Sequence, residues 1–137
     1  MFSGINSSRF VLCTVALVIF TYLFDMLVHG NLLMPLYNET PNLWRPEADM
    51  QGMMGWCIGY HLALAMVTTY IFTRNFEGKG LDEGVRFGFY IGLFLAVVHA
   101  GSFIFMPISG QLVIGWIVAS LFWGVLSGVV LSLLYKR

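Results

Sequence analysis

The chain has 137 residues, 58% of them hydrophobic and 10% charged, with a formal net charge of zero. A soluble domain carries about 25% charged residues, and nucleic-acid binding needs a basic face. A soluble domain and a nucleic-acid partner are therefore excluded, and a polytopic membrane protein of one domain remains.

Four apolar segments reach the roughly 20 residues that a bilayer demands. The first covers about 10–36. Its start imitates a signal peptide. The run continues past Asp25 without a small-x-small cleavage site, so it reads as a spanning helix with Pro35 in its last turn. The stretch YNETPNLWRPEAD is polar, holds two prolines and reads as a loop. The second helix covers about 50–73, and RNFEGKGL is a polar connector. Asp82 is placed to cap the third helix, about 82–106, with Glu83 in its first turn. Pro107 ends that helix, and the fourth covers about 112–135. Cys13 and Cys57 fall near opposite helix ends, about 15 Å apart by helical rise, too far for a disulfide.

Small residues recur every four positions in the third segment: Gly80, Gly84, Gly88, Gly92, Ala96 and Ala100. They share one helical face. A matching ridge lies at Ser120, Gly124, Gly128 and Ser132. In lipid, close backbone approach is a main source of helix attraction, so the pattern predicts a packing seam.

Arg9, Arg74, Lys79, Arg86, Lys136 and Arg137 fall at one set of helix ends, and Arg45 alone at the other. The positive-inside rule then places both termini in the cytoplasm and the 37–49 loop outside. Tyr70 and Tyr135 suit the inner interface, and Trp44, Trp56 and Trp116 the outer one. VHGNLLMP at 28–35 echoes VHAGSFIFMP at 98–107, and Gly55-Trp56 recurs as Gly115-Trp116. These echoes suggest two parallel hairpin repeats.

Ionisable groups within spans cost roughly 2.5–3.5 kcal/mol each. Asp25, His29, His61 and His99 are such groups. Helical rise puts them about 18, 12, 16 and 12 Å below the outer ends of their helices, so all share the outer half of the bilayer. Asp25 and His29 are four apart on one face, where a carboxylate can orient an imidazole or hold its proton. Met53, Cys57 and His61 also share a face, and thioether, thiol and imidazole together suit Cu(I). Met34, Met50, Met54 and Met106 gather near the same ends. Two of His29, His61 and His99 could instead ligate a haem, with Arg45 near a propionate. Against these stand structural readings: each histidine as a helix tie, Asp25 as the partner of His29 or His61, and methionine as filler.

No phosphate loop, CxxC or HExxH is present. Ser102 lies three residues from His99 without a discernible oxyanion hole. An enzyme has the least support. The segments HGNLLMPLY, LWRPEADM, EGKGLDEGVRFG and the terminal LLYKR resemble a family of small four-helix bacterial inner-membrane proteins with no assigned activity. The resemblance implies a bacterial source and a four-helix fold, and transfers no functional residue.

The expected architecture is an all-α bundle of four transmembrane helices, N-in and C-in, in the bacterial inner membrane. The expected function is an accessory protein binding a metal ion, haem or quinone at Asp25, His29, His61 and His99. The alternatives are a proton- or ion-coupled transporter with Asp25 as the titrating carboxylate, and a purely structural subunit. So small a bundle has little interior, which favours a homo-oligomer or a place in a larger membrane complex.

Overall fold

A computed structural model describes residues 4–136 and contains no strand among them. Arg137, counted above among the basic residues, lies outside the described residues. Helix α1 spans Ser7–Leu27 and passes into a π-helical turn, Val28–Leu32. It begins ahead of the apolar run because the Asn6 side chain accepts the Arg9 N–H at 3.1 Å. Two short helices follow, α2 (Met34–Tyr37) and α3 (Glu47–Gly52). The long helices α4 (Met54–Arg74), α5 (Leu81–Phe105) and α6 (Gly110–Leu134) complete the chain. With α1 and its π turn, these make four helices long and apolar enough to cross a membrane. The chain is a multi-pass helical membrane protein.

Two helix starts differ from the sequence reading. Asp82 does not cap α5, which begins at Leu81 behind Gly80 at φ 69°. Glu83 organises the connector instead. Its buried carboxylate accepts the Glu77 N–H at 2.6 Å and the Lys79 N–H at 2.8 Å. Asp82 is the more obvious cap by type, but a carboxylate one residue deeper reaches back over the glycine-rich turn. Outside it, Glu77 is held below the usual carboxylate range by hydrogen bonds from Lys79 and Arg86. The connector is thus tightest at neutral pH and loosens as pH falls through the Glu77 range. Bonds from backbone N–H to a buried carboxylate are worth about 1.5–3 kcal/mol. Glu83→Ala should therefore lower stability by about 2 kcal/mol in chemical unfolding, with Asp82→Ala near neutral. For α6, the Ser109 side chain accepts the Leu112 N–H at 3.2 Å, so the helix starts at Gly110.

Helices α5 and α6 touch backbone to backbone. A methyl group added at Gly84, Gly88, Gly124 or Gly128 would overlap a carbonyl oxygen of the facing helix. At Gly92 the same atom would come 2.7 Å from the Ser120 carbonyl oxygen. The contact runs from Gly84 to the buried Ala96. The outlying members of the stripe fall away: Gly80 precedes the helix and Ala100 is exposed. Helix α1 packs against α4 and α6.

The two ends of the structure are built differently. At the basic end, Cys13, Leu17, Ala65, Phe72, Leu131 and Tyr135 form a dry core from α1, α4 and the end of α6. Phe72 meets Phe87 of α5 at 5.2 Å between ring centroids, which joins α4 to α5 there. The Asn6 N–H donates to the Tyr135 hydroxyl at 3.3 Å, and the Arg9 guanidinium to the Leu134 carbonyl at 3.3 Å. Both termini and the 75–80 connector therefore share one end. At the opposite end Trp44 packs edge-on against Tyr37, at 5.0 Å. Cys13 and Cys57 are free thiols.

Candidate functional site

In the half nearer Trp44 the helices leave a cavity of about 340 Å³. Asp25, His29 and His99 line it, together with Tyr37, Trp116 and Ser120. The residues follow helical steps. Thr21, Asp25 and His29 lie at intervals of four on α1 and its π turn, and Trp116 and Ser120 do so on α6. The π turn is closed by the Leu33 N–H donating to the Val28 carbonyl at 2.8 Å, and Asn31 donates back to the Met26 carbonyl at 2.8 Å. Such turns widen a helix locally and recur at functional sites.

His61 stands behind Asp25 on α4, buried at 6% exposure. Its Nδ1 lies 2.7 Å from the Cys57 carbonyl oxygen, which can only accept, so Nδ1 bears a hydrogen. The Cys57 sulfur is 3.6 Å from the same nitrogen. Nε2 lies 3.2 Å from Asp25 Oδ2. The approach is off the line of an ideal N–H bond, and Nε2 has no other hydrogen-bonding partner among the described residues. With Nδ1 protonated, Nε2 and a carboxylate oxygen at this distance are both acceptors unless one proton lies between them. One proton on the pair, as Asp⁻ with imidazolium or as neutral acid with neutral imidazole, removes that repulsion. Either form has zero net charge.

The other two imidazoles are tied in place. The Ser120 hydroxyl donates to the Trp116 carbonyl at 2.7 Å, so its oxygen must accept from His99 Nδ1, also at 2.7 Å. That leaves His99 Nε2 as an acceptor. His29 Nδ1 lies 2.7 Å from the Tyr37 hydroxyl, which accepts the Trp116 indole N–H at 2.6 Å. Burial, with a smaller push from the Asp25 charge, raises Tyr37 above the ordinary phenol range against the opposing Trp116 hydrogen bond. Tyr37 is thus a neutral phenol holding two walls together. Tyr37→Phe strands the indole N–H and removes the partner of His29, at about 1–3 kcal/mol for each buried group. A loss of about 3 kcal/mol in chemical unfolding is expected.

The hydrogen-bond accounts give the cavity a definite polarity. Trp116 donates to Tyr37, Trp123 to Thr21 at 3.0 Å, and His99 and His61 spend their N–H groups on Ser120 and Cys57. Only the His29–Tyr37 pair keeps a spare hydrogen among these ring groups. The Asp25 carboxylate adds an acceptor to the wall, and Thr21, Tyr60 and Ser102 add hydroxyls that can both donate and accept.

Several sequence-predicted roles are not met by this arrangement. Among the described residues no group of three or more His, Cys, Asp or Glu is placed to hold a metal. A copper site at Met53, Cys57 and His61 gains no support, since His61 Nδ1 is bound to its own helix and Nε2 faces Asp25. Cys57 and His61 border instead a separate apolar crevice of about 240 Å³ between α1 and α4. His29, His61 and His99 do not converge as a ligand set, since His61 does not line the central cavity. Arg45 is exposed on the loop and outside the cavity, so it is not placed to meet a haem propionate. Its neighbour Trp44 donates to the Tyr37 carbonyl at 3.0 Å.

Sequence reading passed over Tyr37 as a loop boundary and took Trp116 as an interfacial anchor. It read Ser120 only as a small packing residue. The four-residue step from Trp116 to Ser120, at the depth of His99, was the available signal. No family model matches the chain, and no curated protein or solved structure matches it. The resemblance noted above therefore supplies no activity, and the function is argued from the site alone.

Proposed function

We propose that the protein binds a small organic ligand within the membrane, in the cavity bordered by Asp25, His29 and His99. The observation behind this reading is the meeting of these residues around one space of about 340 Å³, at the lower end of ligand-pocket sizes. Each is costly in lipid. A purely structural role would be served by filling the space around the ties, and the space is open. His61 acts through Asp25 by sharing its proton. Of the ligand classes raised by the sequence, a metal ion finds no group of three or more His, Cys, Asp or Glu among the described residues.

Native mass spectrometry of the full-length protein, extracted gently from its own membrane, tests the reading. The wild type should retain a small organic adduct. Ala119→Leu, which adds bulk to the cavity wall without replacing Asp25 or a histidine, should lose it. Wild type emerging bare, or both proteins retaining the same adduct, would contradict it.

The same reading places the basic end in the cytoplasm of a bacterial cell, because Arg9, Arg74, Lys79, Arg86 and Lys136 cluster there. The cavity then belongs to the outer half of the membrane. A reporter active only in the cytoplasm should work when fused at the C-terminus, and its silence there would reverse the orientation.

A further inference from the structure

We infer that the ligand is a monovalent organic cation with an apolar body, and that it enters in exchange for the one proton held between Asp25 and His61. The inference rests on the cavity reading above and adds the chemical class of the ligand. Three observations support it.

With one proton on His61 Nε2 or Asp25 Oδ2, which lie 3.2 Å apart, the Asp25–His61 pair is neutral. Asp25 belongs both to this pair and to the cavity wall. A positive charge in the cavity and the shared proton therefore compete for one carboxylate. Holding both would leave an uncompensated charge in low dielectric, which is far costlier than releasing the proton. Entry of one cation and departure of one proton keeps the net charge at zero.

The wall also suits a cation. Tyr37, Tyr60, Trp116 and Trp123 present aromatic surface to the cavity, and such rings attract a cation within about 6 Å of their centroids. The ring N–H groups of Trp116, Trp123 and His99 are donated elsewhere, and Asp25 adds an acidic side chain to the same wall.

The other titratable groups facing Asp25 are few. Around the Asp25–His61 pair they are Tyr22 on α1, His29 on its π turn, Tyr37 from α2, Cys57 and Tyr60 from α4, and His99 from α5. Helix α6 contains no ionisable side chain. His29 and His99 are engaged with neutral hydroxyl partners rather than with the carboxylate. Among the described residues no Lys or Arg borders the cavity, so a cation meets no fixed positive competitor from them.

The test uses benzyltrimethylammonium, which carries no exchangeable proton on nitrogen, and its neutral isostere neopentylbenzene. Calorimetric titration of the full-length protein in detergent, in two buffers of different ionisation enthalpy, counts protons released. The cation should bind with release of about one proton, and where the pair is protonated its affinity should rise about tenfold for each unit by which pH is raised. The neutral isostere should bind at least about tenfold more weakly. Asp25→Asn, which keeps the shape of the side chain, should abolish proton release. Because the pH slope is read on the wild type, the test does not depend on any variant folding. Cation binding without proton release, or equal binding of the isostere, would overturn the exchange while leaving the cavity reading intact. Binding of neither compound, with the native adduct still lost in Ala119→Leu, would remove the cation class and keep the cavity. Binding of neither compound and no native adduct would remove both.

Discussion

His61→Ala destabilises the folded protein by about 3 kcal/mol, whereas Asp25→Asn costs about 1 kcal/mol or less. The two variants touch one contact from opposite sides. Removing the imidazole leaves Asp25 in a membrane span without its 3.2 Å partner. A lone carboxylate at such depth costs about 2.5–3.5 kcal/mol. Protonation lets it escape part of that cost, but a void remains where a ring with 6% exposure had packed against Tyr22 and Tyr60. Asparagine behaves differently. Its amide N–H can donate to the bare Nε2, so the contact survives as a neutral hydrogen bond without a shared proton. Asp25→Ala should resemble His61→Ala, because it strands a buried nitrogen at about 1–3 kcal/mol and opens a gap. Reversible unfolding in mixed micelles measures all three. A His61→Ala loss below about 1 kcal/mol would mean that the pair contributes little. Asp25→Asn as damaging as alanine would mean that the charge itself, rather than a hydrogen-bonded partner, is required.

Gly128→Ala should be the most damaging single-methyl change in the chain, with a cost of about 3 kcal/mol or more. Insertion into a packed core usually costs about 1–3 kcal/mol, but that range assumes side chains that can turn aside. Here the obstacle is the Gly84 carbonyl oxygen, which is backbone and cannot rotate away without unwinding α5. Gly84→Ala and Gly88→Ala meet the carbonyls of Gly128 and Gly124 and should follow closely. Gly59→Ala on α4 and Gly101→Ala on α5 meet nothing within 4 Å and serve as controls. They should be neutral or slightly stabilising, since alanine has the higher helix propensity. Equal effects at Gly128 and Gly101 would show that the α5–α6 approach is not a close one.

The two predictions describe halves of one design. On α5 and α6 the basic half carries glycine and the Trp44 half carries His99, Trp116 and Ser120 on neighbouring parts of the same faces. Small residues bring the backbones together, and the larger ones past Ala96 meet through side chains, as His99 does with Ser120. The seam and the cavity are therefore consecutive stretches of one helix pair.

Much of this was legible in the sequence because it is periodic. A run of glycine at four-residue spacing has a simple physical meaning on a helix, and so do four long apolar segments. The depths of Asp25, His29, His61 and His99 followed from helical rise alone. Partnership did not. Asp25 has His29 one turn away, yet its polar contact is with His61 on another helix, because α1 and α4 are neighbours. Spacing within a helix cannot reveal which helix lies opposite. The copper reading of Met53, Cys57 and His61 gains no support for a related reason. A shared helical face brings side chains near one another, but His61 satisfied its Nδ1 on the Cys57 carbonyl of its own preceding turn. Tyr37 was hidden by its place beyond the π turn, whose extra residue per turn shifts the chain off the regular helical register.

Nitrogen-15 NMR of the histidine-labelled full-length protein in lipid nanodiscs reaches the centre of this account. Three histidines give three assignable rings. The His61 ring should carry hydrogen on Nδ1, with Nε2 shared toward Asp25. Asp25→Asn should move the His61 Nε2 signal to that of a bare nitrogen accepting a hydrogen bond, and leave His99 as the Nδ1–H tautomer. A His61 signal that is indifferent to Asp25→Asn would contradict the shared proton and, with it, the proposed exchange.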